Sequence, residues 1–312
     1  MAGALSPGSV SLRLYPHLDL DAPSIVNELL AQGRLAEDVG FDGVMVSEHH
    51  NAFGGYLPNP IQAAGWLLDA TQQLWAAPCP LLLPLRPPAM VVEEIAWLAA
   101  RFPNRVALGL AAGSLEADFI VMGLTKDDLT QRFADALATV SGMLLGRDAA
   151  ALSADPAVRR CAAHPVPVVS AAMSPAACRR AASAGVGLLF DSLTAIDRCR
   201  QLVDVYREHG GRGRVVLIRR VASGAPPIER QEGQREFYRS YAAPAAVAHW
   251  GSAELASGDA SEIAETLTAQ MQAIGADCVN VRVHSAGMSP ADVRDEIAKL
   301  AAVLPLLRAG HS

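Results

Sequence analysis

Eight short apolar runs, each followed by a stretch with helical spacing, restrict what this chain can fold into. The runs are VSLRLY (10–15), GVMVS (43–47), PLLLP (80–84), RVALGL (105–110), VPVVSA (166–171), GVGLLF (185–190), RVVLIRRV (214–221) and DCVNVRV (277–283). They are nearly continuous in apolar character rather than alternating, as strands are when both faces are buried. The segments between them read as helices near 24–39, 60–72, 90–101, 127–145, 175–184, 194–209, 260–275 and 290–308. The first carries Ile25, Val26, Leu29, Leu30, Gly33, Ala36 and Val39 at helical spacing and stops at Gly40. Strands that alternate with helices run parallel, and eight such units in 312 residues fit a (β/α)8 TIM barrel formed as one domain over 1–312. An open doubly wound sheet is the alternative. The GxGxxG turn of a dinucleotide-binding version does not follow the first strand.

Two stretches exceed the repeat. Residues 146–165 lengthen the connection before strand five, and residues 222–259 form a polar excursion before strand eight. Connections of that length serve either as walls and lids of a site or as packing excursions.

Bulk properties exclude several classes of partner. A formal charge of −6 and an isoelectric point near 5.8, with no basic block, argue against nucleic acid or an anionic membrane surface. No apolar run approaches the roughly 20 residues of a membrane span. The start, MAGALSPGSVSLRLYP, lacks the basic and long apolar regions of a secretory signal, so the cytoplasm is the expected setting. The five cysteines, Cys79, Cys161, Cys178, Cys199 and Cys278, include no C-x-x-C pair. They read as small buried hydrophobes, not zinc ligands or a disulfide framework.

The chemistry concentrates where strand two stops, in Glu48, His49 and His50. The carboxyl ends of barrel strands face the active-site mouth. Adjacent residues of a strand point to opposite sides, so one metal cannot readily take both histidines. A neutral imidazole instead suits general acid–base work near pH 7.

AEDVGFDGVMVSEHHNAFGG and PLLLPLRPPAMVVEEIAWLAARFPNRVALGLAAGSLEADFIVMG, followed by VPVVSAAMSPAACRRAASAGVG and IAETLTAQMQAIGADCVNVRV, resemble the bacterial luciferase-like monooxygenase superfamily. The resemblance covers most of the chain in order and is most specific over 36–123. It implies a (β/α)8 fold and either reduced FMN with O2 or the deazaflavin F420. It implies His49 as the acid–base residue beside the flavin, Glu48 as its support, and Asp118 as an acidic residue associated with reduced-flavin binding. Asp118 also reads simply as a loop aspartate near a helix start. Strand three carries an unusual cis peptide beneath the flavin ring in this family, and the matching bond is Cys79–Pro80. The lower cis penalty of X–Pro bonds, about 0.5–1 kcal/mol, makes it the natural place.

For the cofactor's phosphate, Ser174 precedes Pro175 as the cap of a helix whose free N–H groups suit an anion, and Ser170 ends strand five. Capping alone is an equally valid role for Ser174. Ala111 stands where luciferases carry a reactive cysteine, and Ala112 where they carry a phosphate-binding arginine. One charge-assisted phosphate contact is worth about 1.5–3 kcal/mol. Arg179 or Arg180 is the candidate replacement; F420, with its different tail, is the alternative cofactor.

Tyr56, Trp66, Trp75, Phe119, Phe190 and Trp250 are candidates for an apolar pocket or for core. The family also implies a homodimer. Ile61, Ala64, Gly65 and Leu68 offer a dimer face or an internal one. The expected function is flavin-dependent oxygenation of an apolar small molecule, with reduced FMN supplied by a separate reductase. Hydride transfer from F420 and a flavin-binding subunit without turnover are the alternatives.

Overall fold

A computed structural model describes residues 3–148, 150–242, 247–251 and 255–310. Residues 149, 243–246 and 252–254 of the two long connections therefore lie outside the described residues. The strands are β1 (Val10–Leu14), β2 (Gly43–Val46), β3 (Trp75–Pro78), β4 (Leu81–Leu82), β5 (Leu108–Ala111), β6 (Val168–Ala171), β7 (Gly187–Phe190), β8 (Val215–Ser223), β9 (Leu255–Gly258) and β10 (Cys278–Arg282). Their order is β3-β2-β1-β10-β8-β7-β6-β5-β4, with β9 paired to the end of β8, and every ladder is parallel. The two ends of that path, β3 and β4, are consecutive pieces of the third barrel strand. Ala76 bridges to Val106 and Leu81 pairs with Leu110, so this split strand closes the (β/α)8 barrel.

The third strand is where the sequence reading needs correction. It places the strand at 80–84, whereas pairing begins at Trp75, and residues Leu83–Leu85 form a single 3-10 turn. The break between the pieces is Cys79–Pro80, which is cis, as expected. Bulky interior residues need a bare neighbour here. A Cβ on Gly109 of β5 would lie 2.2 Å from Cys79 Sγ, and one on Gly43 of β2 would lie 2.1 Å from the Trp75 ring.

Helices α1 (Ala22–Val39), α2 (Pro60–Ala70), α3 (Pro88–Arg101), α4 (Glu116–Val121), α5 (Leu129–Leu144), α6 (Pro156–Arg160), α7 (Pro175–Ala184), α8 (Ile196–Glu208), α9 (Ile228–Arg239), α10 (Ala260–Ile274), α11 (Pro290–Lys299) and α12 (Val303–Ala309) complete the described elements. Most start on a capping side chain or a proline, and α1, α7 and α10 end on a left-handed glycine. The expected helix over 290–308 is two helices joined by a 3-10 turn at Leu300–Ala302. Pro305 has no N–H to return to the carbonyl of residue 301, so a continuous ladder cannot pass that point. Ile61, Ala64 and Leu68 of α2 are buried within the chain, where α2 packs on β3 and α1. The internal role is therefore the one these three side chains fill.

Alternation along each strand sorts the core in two. Val44, Val46, Leu108, Leu188, Leu217 and Val279 face the helices. Met45, Trp75, Ala77, Ala107, Val169, Leu189, Val216, Ile218 and Cys278 fill the barrel interior. The N-terminal segment closes the bottom: Leu5 is buried there, the Ala4 N–H donates to Asn104 O at 2.9 Å, and the Gly8 N–H to Asp277 O at 2.8 Å. Toward the carboxyl ends the same inward positions turn polar, to Arg13, Ser47, His49, Arg220, Asn280 and Arg282. No helix among the described residues is long and apolar enough to cross a membrane.

Candidate active site at the barrel mouth

One cavity of about 240 Å³ opens at the carboxyl ends of the strands, lined among others by His49, Tyr15, Tyr56, Pro80, Tyr238 and Arg282. His49 is the first inward position beyond Ser47, and its side chain is 16% exposed. Behind it, Asp118 of α4 is buried and holds both histidines in place. Asp118 Oδ2 lies 2.7 Å from His49 Nδ1, and Oδ1 accepts the His50 backbone N–H at 2.8 Å. A carboxylate accepts only, so Nδ1 carries the proton in that contact and Nε2 is left as the basic nitrogen for the cavity. The expected association of Asp118 with the site is thus made through His49.

Glu48 and His50 point into the wall. The Glu48 carboxylate accepts the Leu82 N–H at 2.7 Å on one oxygen; the other lies 2.6 Å from Arg86 Nη2 and 3.0 Å from His50 Nε2. These contacts tie the end of β2 to the far piece of the split strand. They engage both oxygens of the Glu48 carboxylate within the wall.

The floor is organised by Arg13. Its guanidinium donates to Asn280 Oδ1 at 2.8 Å, to Cys79 O at 2.9 Å and to Ser47 Oγ. Ser47 Oγ also donates to Cys79 O at 3.1 Å. Pro80 and Leu82 lie in the cavity wall beside it, while Cys79 itself is fully buried. Burial pushes its thiol up to about 11, so it is no nucleophile at neutral pH.

The roof comes from the excursion 222–259. Tyr238, Tyr241, Ala242 and Trp250 line the cavity, and the Gly251 N–H anchors to Leu193 O at 2.8 Å. Phe53 packs on Tyr241 and Phe237 with ring centroids 4.9 and 5.4 Å apart. The Tyr238 hydroxyl accepts from Arg282 Nη1 at 2.9 Å and meets Tyr56 OH at 3.3 Å. Burial alone raises its pKa, but the Arg282 charge and these hydrogen bonds bring it below the ordinary phenol value. The other long connection is a packing excursion: α6 lies against α3, and Trp97 Nε1 donates to Asp155 at 3.0 Å.

Ala111, Ala112, Ser170 and Ser174 sit across the mouth at the ends of β5 and β6, and none lines this cavity. Ser174 is exposed and caps α7 through the Ala177 N–H at 3.3 Å; Ser170 is buried. Of the six candidate aromatics, Tyr56 and Trp250 line the cavity; Trp75, Phe119 and Phe190 are core, and Trp66 is half-buried on α2. Sequence reasoning passed over Arg13, Tyr15, Tyr238, Arg220 and Arg282. The signal was present: arginines inside VSLRLY, VLIRRV and NVRV interrupt strands that should be apolar on both faces.

Comparison with known proteins converges on one family. The model of the luciferase-like monooxygenase family matches residues 11–305. The alkanal monooxygenase alpha chain of Photorhabdus laumondii is 34% identical over 112 residues, 36% of this chain and 31% of that one. An F420-dependent glucose-6-phosphate dehydrogenase of Beutenbergia cavernae is 31% identical over 177 residues, 53% of this chain and 52% of that one. These matches span well under two thirds of either relative. The oxygenating constituent of 3,6-diketocamphane monooxygenase from Pseudomonas putida, in complex with FMN, superposes with a TM-score of 0.71 at 17% identity. It covers 95% of this chain and 98% of that one, a likeness of fold. Matched along nearly its whole length and built on that barrel, the chain belongs to the luciferase-like monooxygenase family.

Proposed function

We propose that the chain is a flavin-dependent monooxygenase that uses reduced FMN, delivered by a separate reductase, and O2 to oxygenate a small organic molecule. The observation that carries this is the buried Asp118–His49 pair, aimed at a mostly apolar cavity beside the Cys79–Pro80 bond. The mouth suits a flavin ring in chemical character. Pro80, Leu82 and Ile218 offer apolar faces, and Arg13 supplies a buried cation whose hydrogen-bond partners are neutral oxygens and a thioether. Toward the phosphate, Ser170 and Ser174 are the expected contacts. Lys126, whose ammonium donates to Ser114 O at 2.8 Å just beyond Ala112, is a better-placed cation than Arg180, which lies over Phe133.

Bound in its reduced form, the flavin supplies the two electrons that activate oxygen. His49 Nε2 takes a proton from a hydroxyl or water at the mouth and returns it, while Asp118 stabilises the imidazolium. Glu48 keeps the loop of His49 in register with Leu82. The Tyr238–Tyr241 roof excludes water from the reacting atoms.

The second reading, hydride transfer with F420, is favoured by one observation: Ala112 where a phosphate-binding arginine is expected. It uses the same base and needs neither O2 nor a reductase. Anaerobic titration with reduced FMN, and separately with F420, followed by fluorescence, decides between them. Reduced FMN should bind to the wild type and to His49→Ala alike, while only the wild type should oxygenate substrate once O2 is admitted. Binding of F420 alone establishes the second reading, and flavin binding without turnover in the wild type identifies a non-catalytic subunit.

A further inference from the structure

Three neighbouring strands, β8, β10 and β1, bring arginines to one level of the barrel interior. Arg220 of β8 and Arg282 of β10 are register partners, and Arg13 of β1 lies one residue beyond the Leu12–Val281 pair. All three are at least 95% buried, and none forms an ion pair with a carboxylate among the described residues. Arg13 is satisfied by neutral acceptors. Arg282 donates to Tyr238 OH and to His284 O at 3.0 Å, and it stacks 4.3 Å over the Tyr15 ring. Arg220 differs: its Nε and Nη2 are buried with no hydrogen-bond partner among the described residues. Burial and the neighbouring Arg282 charge lower its pKa to about 10, so it remains a cation at neutral pH.

Beyond the Tyr238 ring, 5.9 Å from Arg220, the two buried guanidiniums have no carboxylate partner among the described residues, which is unfavourable on its own. Such an arrangement is the signature of a site that receives the missing charge from a ligand. A second cavity, of about 250 Å³, lies at this pair, and Arg282 lines both it and the His49 cavity. The acidic side chains on its outer rim are already engaged. Glu296 accepts the Ser223 N–H at 2.9 Å and pairs with Lys299, Asp295 pairs with Lys299, and Asp292 closes the cap of α11 with Ser289. The ends of barrel strands seven and eight are also where barrels of this architecture recurrently bind phosphate.

We propose that Arg220 and Arg282 bind an oxyanion, a carboxylate or a phosphate monoester, carried by the organic substrate, whose oxidisable end reaches toward His49. Guanidinium forks match both groups in geometry. The assignment to the substrate rests on the oxidoreductase reading above, because the cofactor's phosphate is expected across the mouth, near β5 and β6. The site itself stands without that reading.

The test uses inorganic phosphate as the probe, against chloride at matched ionic strength, with thermal unfolding of wild type, Arg220→Met and Arg220→Lys. The wild-type midpoint should rise saturably with phosphate. Arg220→Met should unfold at or above the wild-type midpoint in chloride, since it removes an unpaired buried charge, and should lose the phosphate response. Arg220→Lys should need at least tenfold more phosphate, which keeps the test decisive if the methionine variant does not fold. A wild type indifferent to phosphate, or variants that respond as it does, overturns the site. Anaerobic titrations with reduced FMN and reduced riboflavin then identify the source. Phosphate that leaves both affinities unchanged supports a substrate oxyanion; phosphate that weakens FMN but not riboflavin overturns it in favour of the cofactor. A phosphate response without any flavin or F420 binding overturns the oxidoreductase reading, and with it the assignment to an oxidised substrate, while the oxyanion site stands.

Discussion

In the proposed mechanism His49 is the base because of what stands behind it. Asp118 accepts at Nδ1 and so directs the lone pair of Nε2 into the cavity. Asp118→Asn keeps an oxygen for the His50 N–H but turns an amide N–H toward Nδ1, reversing the tautomer. Turnover should fall by about 10²- to 10⁴-fold, with the protein still folded and flavin binding retained. Nitrogen-15 NMR of the imidazole should show the proton moved to Nε2; an unchanged tautomer with full activity would refute the assignment. Glu48 acts at one remove. Glu48→Gln weakens a buried contact set to Leu82, Arg86 and His50, and should lower stability by about 1–3 kcal/mol in urea unfolding. The acid–base limbs of the pH–rate profile should stay where they are, which a group acting directly on substrate would not allow.

At the scale of elements, the split third strand and the α9 roof define the site. β5 approaches Cys79 so closely that only glycine fits at 109. Gly109→Ala should destabilise by about 1–3 kcal/mol through overpacking. Cys79→Gly in the same chain should recover at least half of that loss, as a double-mutant cycle would measure. Independent, additive effects would mean that the two strands do not press on one another. Here the sequence was partly legible. The helix starts at Asn59–Pro60 and Ser174–Pro175 follow from local chemistry, and the cis Cys79–Pro80 bond from the family resemblance. The extent of the third strand does not, because WAAP carries no periodicity and its partners, Gly43 and Arg105, lie 30 or so residues away on either side. The break in the last helix was visible at Pro305, and a single long apolar pattern concealed it.

For the whole molecule, burial of ionisable groups ties stability to pH. His284 is held neutral by burial and by the Arg282 charge, which push it down to about 3 from an ordinary 6.5. Between those values the unfolded chain binds the extra proton, so stability rises with pH through the window and is complete above it. His284→Asn should flatten the wild-type curve between about pH 3 and 6.5, as measured by urea unfolding across that range. An identical slope in the variant would place the dependence elsewhere, His17 being the next candidate because burial lowers it too.

The sequence by itself determined the barrel and the family, and singled out the end of strand two as the candidate site, because each rests on local patterning: apolar runs, helical spacing, and residues adjacent in the chain. Only the tertiary structure decided that Asp118 meets His49 from 69 residues away, and that the Glu48 carboxylate is held by Leu82, Arg86 and His50. It also decided that the excursion around Tyr238 roofs the cavity and that Arg220 and Arg282 stand together without a carboxylate partner among the described residues. Those facts depend on which strands become neighbours and which way each pleat points, and closure of the barrel sets both at once.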